Sequence, residues 1–376
     1  MLVCAGPGGV GKTTTAAALA VLGARSGRRV AALTVDPARR LADSLGIRDP
    51  GARAQELDPK LWQAPGQPNS GGRLSVMMMD TKRTFDELIE RHASSAEARD
   101  RILNNRLYGY VSSHLAGAHE YMAMEKLLSV SRDSAFDLVV LDTPPTRDAL
   151  DFLSAPERLV GALDSSVLGW LGQALQPSKG LSLGLLARGV SRVLGTIGRI
   201  TGRELLEQLA RFIVDLNELF GGFRQRASAV AQAFRGPGFG FVLVSSPRPA
   251  AIEEAMRFGR QLQLEGMTTD AFIVNRIPPS GGAASAAQIG QALAMRLPDW
   301  GPSVAASRLD TIVRVAAQQS ARHREGQQRV DALRAQLGAL SSAAPPALVL
   351  LPELAADVQG GAALQELAQA LIAPPA

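Results

Sequence analysis

Gly6-Pro7-Gly8-Gly9-Val10-Gly11-Lys12-Thr13 is the stretch that decides the fold. It has the spacing G-x-x-x-x-G-K-[ST], with the apolar run Leu2–Ala5 before it and the helix-forming run Thr14–Ala24 after it. Glycines at such a turn let backbone N–H groups converge on phosphate oxygens, and the N-terminus of the following helix adds a favourable dipole. The stretch therefore predicts a phosphate-binding loop between a strand and a helix, rather than a glycine-rich turn that matches by chance.

Two side chains of this loop carry its chemistry. Lys12 can reach the β- and γ-phosphates of a nucleotide, and the hydroxyl of Thr13 is placed for Mg²⁺. Lysine is rare elsewhere in the chain, where arginine supplies nearly all of the cations. ATP and Mg²⁺ are therefore the expected cofactors. The residues predicted to bind the nucleotide are Gly8, Gly9, Val10, Gly11, Lys12, Thr13 and Thr14.

Six apolar segments have the character of buried strands, and helical patterns follow the first three of them. The segments are Leu2–Ala5, Val30–Val35, Leu138–Leu141, Gly240–Ser245, Ala271–Asn275 and Ala347–Leu351. Strands separated by helices favour an α/β fold with a doubly wound, mainly parallel sheet, in which ligands bind at the carboxyl ends of the strands.

The division of the chain follows from a long stretch without strands. Residues 159–235 are helical in pattern and are predicted to be an inserted helical subdomain. The nucleotide-binding core is then made of residues 1–158 and 236–376. Gly51–Gly72, rich in Pro, Gly and Gln, is expected to be a surface loop, and Asp310–Leu340 an exposed helix.

Composition excludes several classes of protein. A formal charge of +5 without a basic run interleaved with aromatics gives no support for a nucleic-acid partner. No apolar run reaches the length of a membrane span, and no signal peptide precedes the first strand, so a cytoplasmic location is expected. Cys4 is the one cysteine, which rules out an internal disulfide or a site built from several cysteines of this chain.

Two aspartates follow predicted strands. Asp36 opens the segment Asp36-Pro-Ala-Arg-Arg-Leu-Ala-Asp-Ser-Leu-Gly46, where an acid facing the phosphates is placed for general base chemistry. A helix N-cap before Pro37 is the structural alternative for Asp36, and the two roles are compatible. Asp142 ends the run Leu-Val-Val-Leu and begins Asp142-Thr-Pro-Pro-Thr-Arg-Asp-Ala-Leu150. An aspartate at the end of so apolar a strand needs a partner.

The phosphate loop and these two segments resemble the arsenical-pump and tail-anchored-protein-targeting ATPases, the ArsA-type branch of the MinD/ParA-like P-loop proteins. The resemblance implies that Lys12 and Asp36 are catalytic, with Asp36 orienting or activating the attacking water. It implies that Asp142 contacts Mg²⁺, through water, and that the loop after it senses the γ-phosphate. It also implies a dimeric protein whose helical subdomain binds a client.

Two further matches concern the base. Asn275, in Val274-Asn275-Arg276, resembles the asparagine with which the family binds adenine. Pro352 lies in Leu350–Leu354, which resembles the family's loop over adenine. An asparagine at a strand end is as often a turn residue, so both interpretations of Asn275 stand.

The chain departs from the family in two respects. A signature lysine, which reaches the partner's nucleotide across the dimer, is replaced by Pro7, which has neither charge nor N–H. Either an arginine such as Arg39 or Arg147 replaces it, or a paralogue donates it in a heterodimer, or hydrolysis is slow; the first two are favoured. With Cys4 alone, neither arsenite nor zinc is expected as a ligand.

The insert contains a basic amphipathic stretch, Leu183–Arg203. Its apolar face either packs within the insert, or binds an apolar client helix or membrane protein, or lies at a membrane surface as a peripheral contact. The favoured interpretation of the whole chain is an Mg²⁺-dependent ATPase that couples hydrolysis to movement of this insert, as a homodimer or a heterodimer. The alternatives are an ATP-clamped, chaperone-like binding module with little turnover, and a partition-type positioning ATPase on membrane or DNA.

Overall fold

A computed structural model describes residues 1–35, 40–45, 47, 54–63, 70–105, 108, 118–143, 223–279, 286–296, 302–340, 345–354, 358 and 360–372. Its strands are β1 Leu2–Ala5, β2 Arg29–Thr34, β3 Gln55–Glu56, β4 Arg73–Met78, β5 Leu138–Asp142, β6 Gly240–Ser245, β7 Thr269–Ile277 and β8 Ala347–Pro352. Its helices are α1 Lys12–Arg25, α2 Arg40–Ser44, α3 Thr81–His92, α4 Ala96–Leu103, α5 Ala118–Ser131, α6 Phe223–Phe234, α7 Pro249–Leu264, α8 Ala286–Arg296, α9 Pro302–Gln336 and α10 Gly361–Ile372.

The strands form one sheet in the order β3-β4-β2-β5-β1-β6-β7-β8. The pairs from β2 through β5, β1, β6 and β7 to β8 are parallel, and β3 runs antiparallel to β4. The parallel strands β1, β2, β5 and β6 are apolar along nearly their whole length because parallel sheets are covered on both faces. The chain leaves β1 toward β2 on one side and later crosses to β6 on the other. This reversal beside β1 is where a doubly wound sheet binds ligands.

Helix α1 covers the centre of the sheet with small side chains. Its alanines favour the helix, and Ala16, Ala17, Ala20 and Ala24 are buried against neighbouring elements that include β2, β5 and α10. Small side chains let the helix approach the sheet closely, which fixes the position of its N-terminus. The phosphate loop therefore sits on a rigid junction between β1 and α1.

The predicted fold class is confirmed, and the strand boundaries agree closely. The bounds of β1 and β6 are those expected from sequence, while β7 begins two residues earlier and ends two residues later than predicted. The helix expected over Asp310–Leu340 is present as the greater part of α9, followed by a 3₁₀ turn. Most of its described side chains are exposed, and in its last turns Val330 and Leu333 form a buried face.

The surface loop expected over Gly51–Gly72 is correct in part, because most of its described residues are exposed. They contain β3 and a 3₁₀ turn at Pro59–Leu61, followed by Trp62, which is fully buried in the core beside Leu364 and Leu367 of α10. Burial of Trp62 was not predicted from the sequence because the rest of the segment has a low apolar content. Burying an indole removes a large apolar area from water, which stabilises the core.

The chain divides into two compact units: residues 1–77, 135–147 and 239–376 form the first, and residues 78–134 and 148–238 form the second. The sheet and the phosphate loop belong to the first. The second includes helices α3 to α6 and also takes in residues 78–134, which the sequence-based division assigned to the core. Residues 159–222, which include the stretch Leu183–Arg203, lie outside the described residues.

Among the described helices, none combines the length and the hydropathy needed to span a membrane.

Candidate functional site

The glycines at the two ends of the phosphate loop lie in close contact with strands β6 and β7. A Cβ on Gly6 would collide with the carbonyl oxygen of Val244 in β6. Gly11 has a φ of 92°, in the left-handed region, and a Cβ on it would collide with Nδ2 of Asn275. Glycine is therefore required at both ends of the loop, by packing at Gly6 and by packing and conformation at Gly11.

The start of α1 has the properties of an anion-binding site. Gly11 is its N-cap and provides no side-chain hydrogen bond, and no acidic residue lies in the first turn. The first N–H groups of α1 thus keep their hydrogen-bonding capacity and the positive end of the helix dipole. Thr13 and Thr14 are half-buried in this turn, and Thr15 donates from Oγ1 to the carbonyl oxygen of Gly11 at 2.9 Å.

Lys12 is the charged residue of the loop's own sequence. Its side chain is only 8% exposed, and Nζ donates to the carbonyl oxygen of Pro7 at 2.9 Å. The ammonium group therefore crosses from one end of the loop to the other instead of extending into solvent. A cation held in this way is placed to interact with a phosphate bound in the concavity of the loop.

Asp142 lies at the carboxyl end of β5, beside β1 and β2. It is 1% exposed and pairs in register with Cys4 and Thr34. Thr34 donates from Oγ1 to Oδ2 of Asp142 at 3.3 Å, while Thr143 donates from Oγ1 to the carbonyl oxygen of Cys4 at 2.8 Å. A buried carboxylate is thereby held at the reversal point of the sheet, on the strand next to the one that leads into the phosphate loop.

Burial raises the pKa of the Cys4 thiol above its ordinary range, and the charge of Asp142 adds to this shift. The side chain stays protonated at neutral pH and behaves as a small apolar group. In the described residues, no group of three or more His, Cys, Asp or Glu side chains is arranged to hold a metal ion. Cys4 is a core residue.

The end of β7 contacts the phosphate loop directly. Nδ2 of Asn275 donates to the carbonyl oxygen of Val10 at 2.9 Å, and a guanidinium NH group of Arg276 donates to that of Gly9 at 3.3 Å. Asn275 is 7% exposed, whereas Arg276 is exposed. The sequence singled out Asn275 for adenine but missed both contacts with the loop. The unbroken strand pattern contained no signal for them.

Pro352 ends β8, the neighbour of β7. It pairs in register with Ile277, and the N–H of Glu353 donates to the carbonyl oxygen of Ile277 at 2.8 Å. Asn275 and Pro352 thus belong to the carboxyl ends of adjacent strands, as a shared base-binding role requires. That role stays a prediction for both residues.

A cavity of about 610 Å³ adjoins the loop. Its wall includes Pro7–Val10, Arg276, and Arg248 at the start of α7. Asp36, Arg39 and Arg147 lie outside the described residues, so the structure does not locate the predicted water-orienting acid or either arginine proposed to replace the lysine.

Comparison with known proteins identifies the family. A family model described as the anion-transporting ATPases, of ArsA type, matches residues 1–289. The chain belongs to this family. An anion-transporting ATPase of this type is an ATP-hydrolysing P-loop enzyme, which confirms the family resemblance and the enzyme class expected from sequence.

Several relatives of this ATPase have been found. An uncharacterized protein of Streptomyces coelicolor is 29% identical over 281 residues, which are 74% of this chain and 62% of that protein. The ATPase GET3 of Malassezia globosa is 25% identical over 295 residues, 78% of this chain and 77% of its own length. The ATPase get3 of Schizosaccharomyces pombe is 28% identical over 279 residues, 72% of this chain and 71% of its own. The chain therefore spans less than two thirds of the Streptomyces relative.

Proposed function

We propose that this ATPase binds Mg²⁺ and ATP at residues 8–14 and couples hydrolysis to movement of the helical insert, residues 159–235. One observation carries the proposal. Lys12 and the start of α1 lie at the carboxyl ends of the strands, as does the buried carboxylate of Asp142, and the start of α1 has no side-chain cap. Groups that can bind phosphate and a group that can bind a metal cation therefore lie together at the reversal point of the sheet.

The oxygen donors of the site suit magnesium. The hydroxyl of Thr13 is a hard oxygen ligand, and the carboxylate of Asp142, which is 1% exposed, gains from a nearby cation that it contacts through water. Bound Mg²⁺ would neutralise charge on the β- and γ-phosphates. Lys12 stabilises the same charge from the other side of the loop, and Asp36 orients the attacking water. The loops after Asp36 and Asp142 transmit loss of the γ-phosphate to the insert.

Adenine binds between the ends of β7 and β8 in this proposal. The amide of Asn275 uses one N–H on Val10 and its oxygen on the N–H of Arg276. The second N–H of that amide is the donor available for the base, and Pro352 provides an apolar contact on the adjacent strand.

The partners follow from the family resemblance. We propose that the protein works as a homodimer or as a heterodimer with a paralogue, in the cytoplasm or peripherally at a membrane. The insert binds an apolar client helix or membrane protein. Light scattering in the presence of ATP and ADP tests the dimer. Purification alone, and then with a co-expressed paralogue, distinguishes its two forms.

The decisive experiment compares phosphate release by the wild type and Asp36→Asn, with Mg²⁺ and with EDTA. We expect Mg²⁺-dependent release that falls by about 10²-fold in Asp36→Asn, the scale of a lost general base. Equal rates in the two proteins would contradict the hydrolytic role of Asp36.

A second experiment addresses the client. The Asp36→Asn protein, loaded with ATP or ADP, is used to capture apolar helical peptides, and binding is expected to depend on the nucleotide. ATP-dependent co-sedimentation with liposomes or DNA instead of peptide would indicate a positioning ATPase and displace this proposal.

A further inference from the structure

The end of β7 contains an unusual backbone conformation. Arg276 has a φ of 62°, and it is the one non-glycine residue with positive φ in the described part of the chain. The pairing of β7 with β8 shifts register between Val274 and Ile277, so residues 275 and 276 stand outside the regular ladder. The N–H of Arg276 donates to Oδ1 of Asn275 at 2.9 Å, which holds the turn. A strained turn that the surrounding structure maintains is typical of a functional site.

This turn directs two consecutive side chains onto the phosphate loop. Arg276 binds the carbonyl oxygen of Gly9 at 3.3 Å, and Asn275 binds that of Val10 at 2.9 Å. A planar trans peptide points its N–H opposite to its C=O. Holding the Gly9 carbonyl therefore fixes the direction of the Val10 N–H. Holding the Val10 carbonyl fixes that of the Gly11 N–H.

The charge of Arg276 is directed to the same place. Among the described residues no carboxylate pairs with its guanidinium group, which lies in the wall of the cavity beside Gly8 and Gly9. A guanidinium group cannot lose its proton at any pH in the physiological range. The cation therefore raises the electrostatic potential around the loop, to which Pro7 contributes neither charge nor N–H.

We propose that Arg276 is a positioning residue for nucleotide binding. It holds the Gly9 carbonyl so that the Val10 N–H points at the phosphates, and its positive φ belongs to the turn that brings both side chains onto the loop. The inference rests on the proposed function, since it requires the phosphates of ATP to bind at residues 8–14.

A test of this role separates binding from folding. Arg276→Gly removes the guanidinium group and relieves the strain of the positive φ, which stabilises the folded protein. The added conformational freedom of glycine in the unfolded chain offsets this stabilisation. We expect the melting temperature of the free protein to change by no more than about 2 °C. The Kd for ATP should rise about fivefold, the scale of one ordinary hydrogen bond.

Steady-state kinetics distinguishes positioning from transition-state chemistry. The loop contacts the phosphates before and during reaction, so Arg276→Gln should raise KM about fivefold and leave kcat within about twofold. Arg276→Lys, which keeps the charge, should recover part of the affinity. Arg248→Gln is the matched control, because Arg248 is an exposed arginine of the same cavity with no hydrogen bond to the loop.

The outcomes separate this inference from the proposed function. If the wild type neither binds nor hydrolyses ATP with Mg²⁺, the proposed function fails. If the wild type is active and the three Arg276 variants bind ATP within twofold of it, the inference on Arg276 is overturned. Equal loss of affinity in Arg248→Gln would also overturn it, because the effect would then be one of general charge.

Discussion

Nδ2 of Asn275 lies 2.9 Å from the carbonyl oxygen of Val10 and joins two segments that are 265 residues apart in sequence. The same amide nitrogen occupies the space that a Cβ on Gly11 would need. The glycine and the asparagine therefore constrain one another, and the shape of the phosphate loop depends on a strand that is distant in sequence.

The first prediction concerns the glycine of this pair. Gly11→Ala places a methyl group against Asn275 at a φ of 92°, so we expect the free energy of unfolding to fall by about 1–3 kcal/mol. Gly8→Ala is the control for stability, because a Cβ on Gly8 meets no atom within 4 Å. Urea unfolding of both variants gives the comparison. A Gly11→Ala protein as stable as Gly8→Ala would contradict the packing described.

The second prediction concerns the asparagine. Asn275→Ala leaves a buried carbonyl at Val10 without its donor, which should lower the free energy of unfolding by about 1–3 kcal/mol. Asn104→Ala is the matched control, since Asn104 makes the same kind of bond, to the carbonyl oxygen of Asp100 at 2.8 Å, on an exposed helix end. That control should change stability by about 0.5 kcal/mol or less. Equal changes in the two variants would show that the contact with Val10 adds nothing.

The third prediction concerns Asp142. Asp142→Asn keeps an oxygen for the hydroxyl of Thr34 but removes the charge, so kcat/KM for Mg²⁺-ATP should fall on the order of 10²-fold. ATP binding in EDTA should remain within about threefold, because it does not use the metal. Asp137→Asn, just before β5 and at the opposite end of that strand, should leave both quantities unchanged. Loss of ATP binding in EDTA would indicate a structural role for Asp142 instead.

The fourth prediction is a pH dependence. The Arg29 guanidinium and the backbone N–H of Arg29 hydrogen-bond to Asp137 and lower the pKa of its carboxyl from 3.8 to about 2. A lowered carboxyl pKa stabilises the fold above the ordinary pKa, and that contribution is lost as the pH falls toward 2. The stability difference between wild type and Asp137→Asn should therefore be constant above about pH 5 and shrink in acid.

NMR titration of the Asp137 carboxyl group measures the shift directly. The midpoint should lie near 2 in the wild type and return toward 3.8 in Arg29→Gln. An unchanged midpoint in Arg29→Gln would assign the shift to another group.

The fifth prediction uses Cys4. The thiol is fully buried and its pKa is raised, so a thiol reagent should react with it only when the native structure opens. Because Cys4 lies on β1, the reaction rate reports opening of the central sheet, and ATP should slow it. Rapid labelling in the native state would contradict the burial of β1.

Sequence predicted the central sheet well because parallel strands are apolar runs with sharp ends. β1 and β6 were located to the residue, and the phosphate loop followed from the glycine spacing. The edge of the sheet at β3 was predicted poorly. β3 has only two residues, and Trp62 stands alone in a polar segment, so neither produces a periodic pattern.

The site was predicted in part for a related reason. Lys12 and Asp142 carry chemistry that is recognisable in a linear motif, and the structure locates both at the reversal point of the sheet. The contact of Arg276 depends on a positive φ and a register shift, and an arginine in a strand pattern indicates neither. Tertiary placement of this kind arises only when strands far apart in sequence are paired.

The bare N-terminus of α1 has a thermodynamic consequence. Since Gly11 offers no side chain to the first amides of the helix, a bound phosphate is their natural cap. Nucleotide binding and folding of the helix are then linked equilibria. Occupancy of the loop by nucleotide raises the melting temperature in proportion to the logarithm of the nucleotide concentration. Through the first turn of α1, the stability of the whole sheet therefore depends on the nucleotide concentration around the protein.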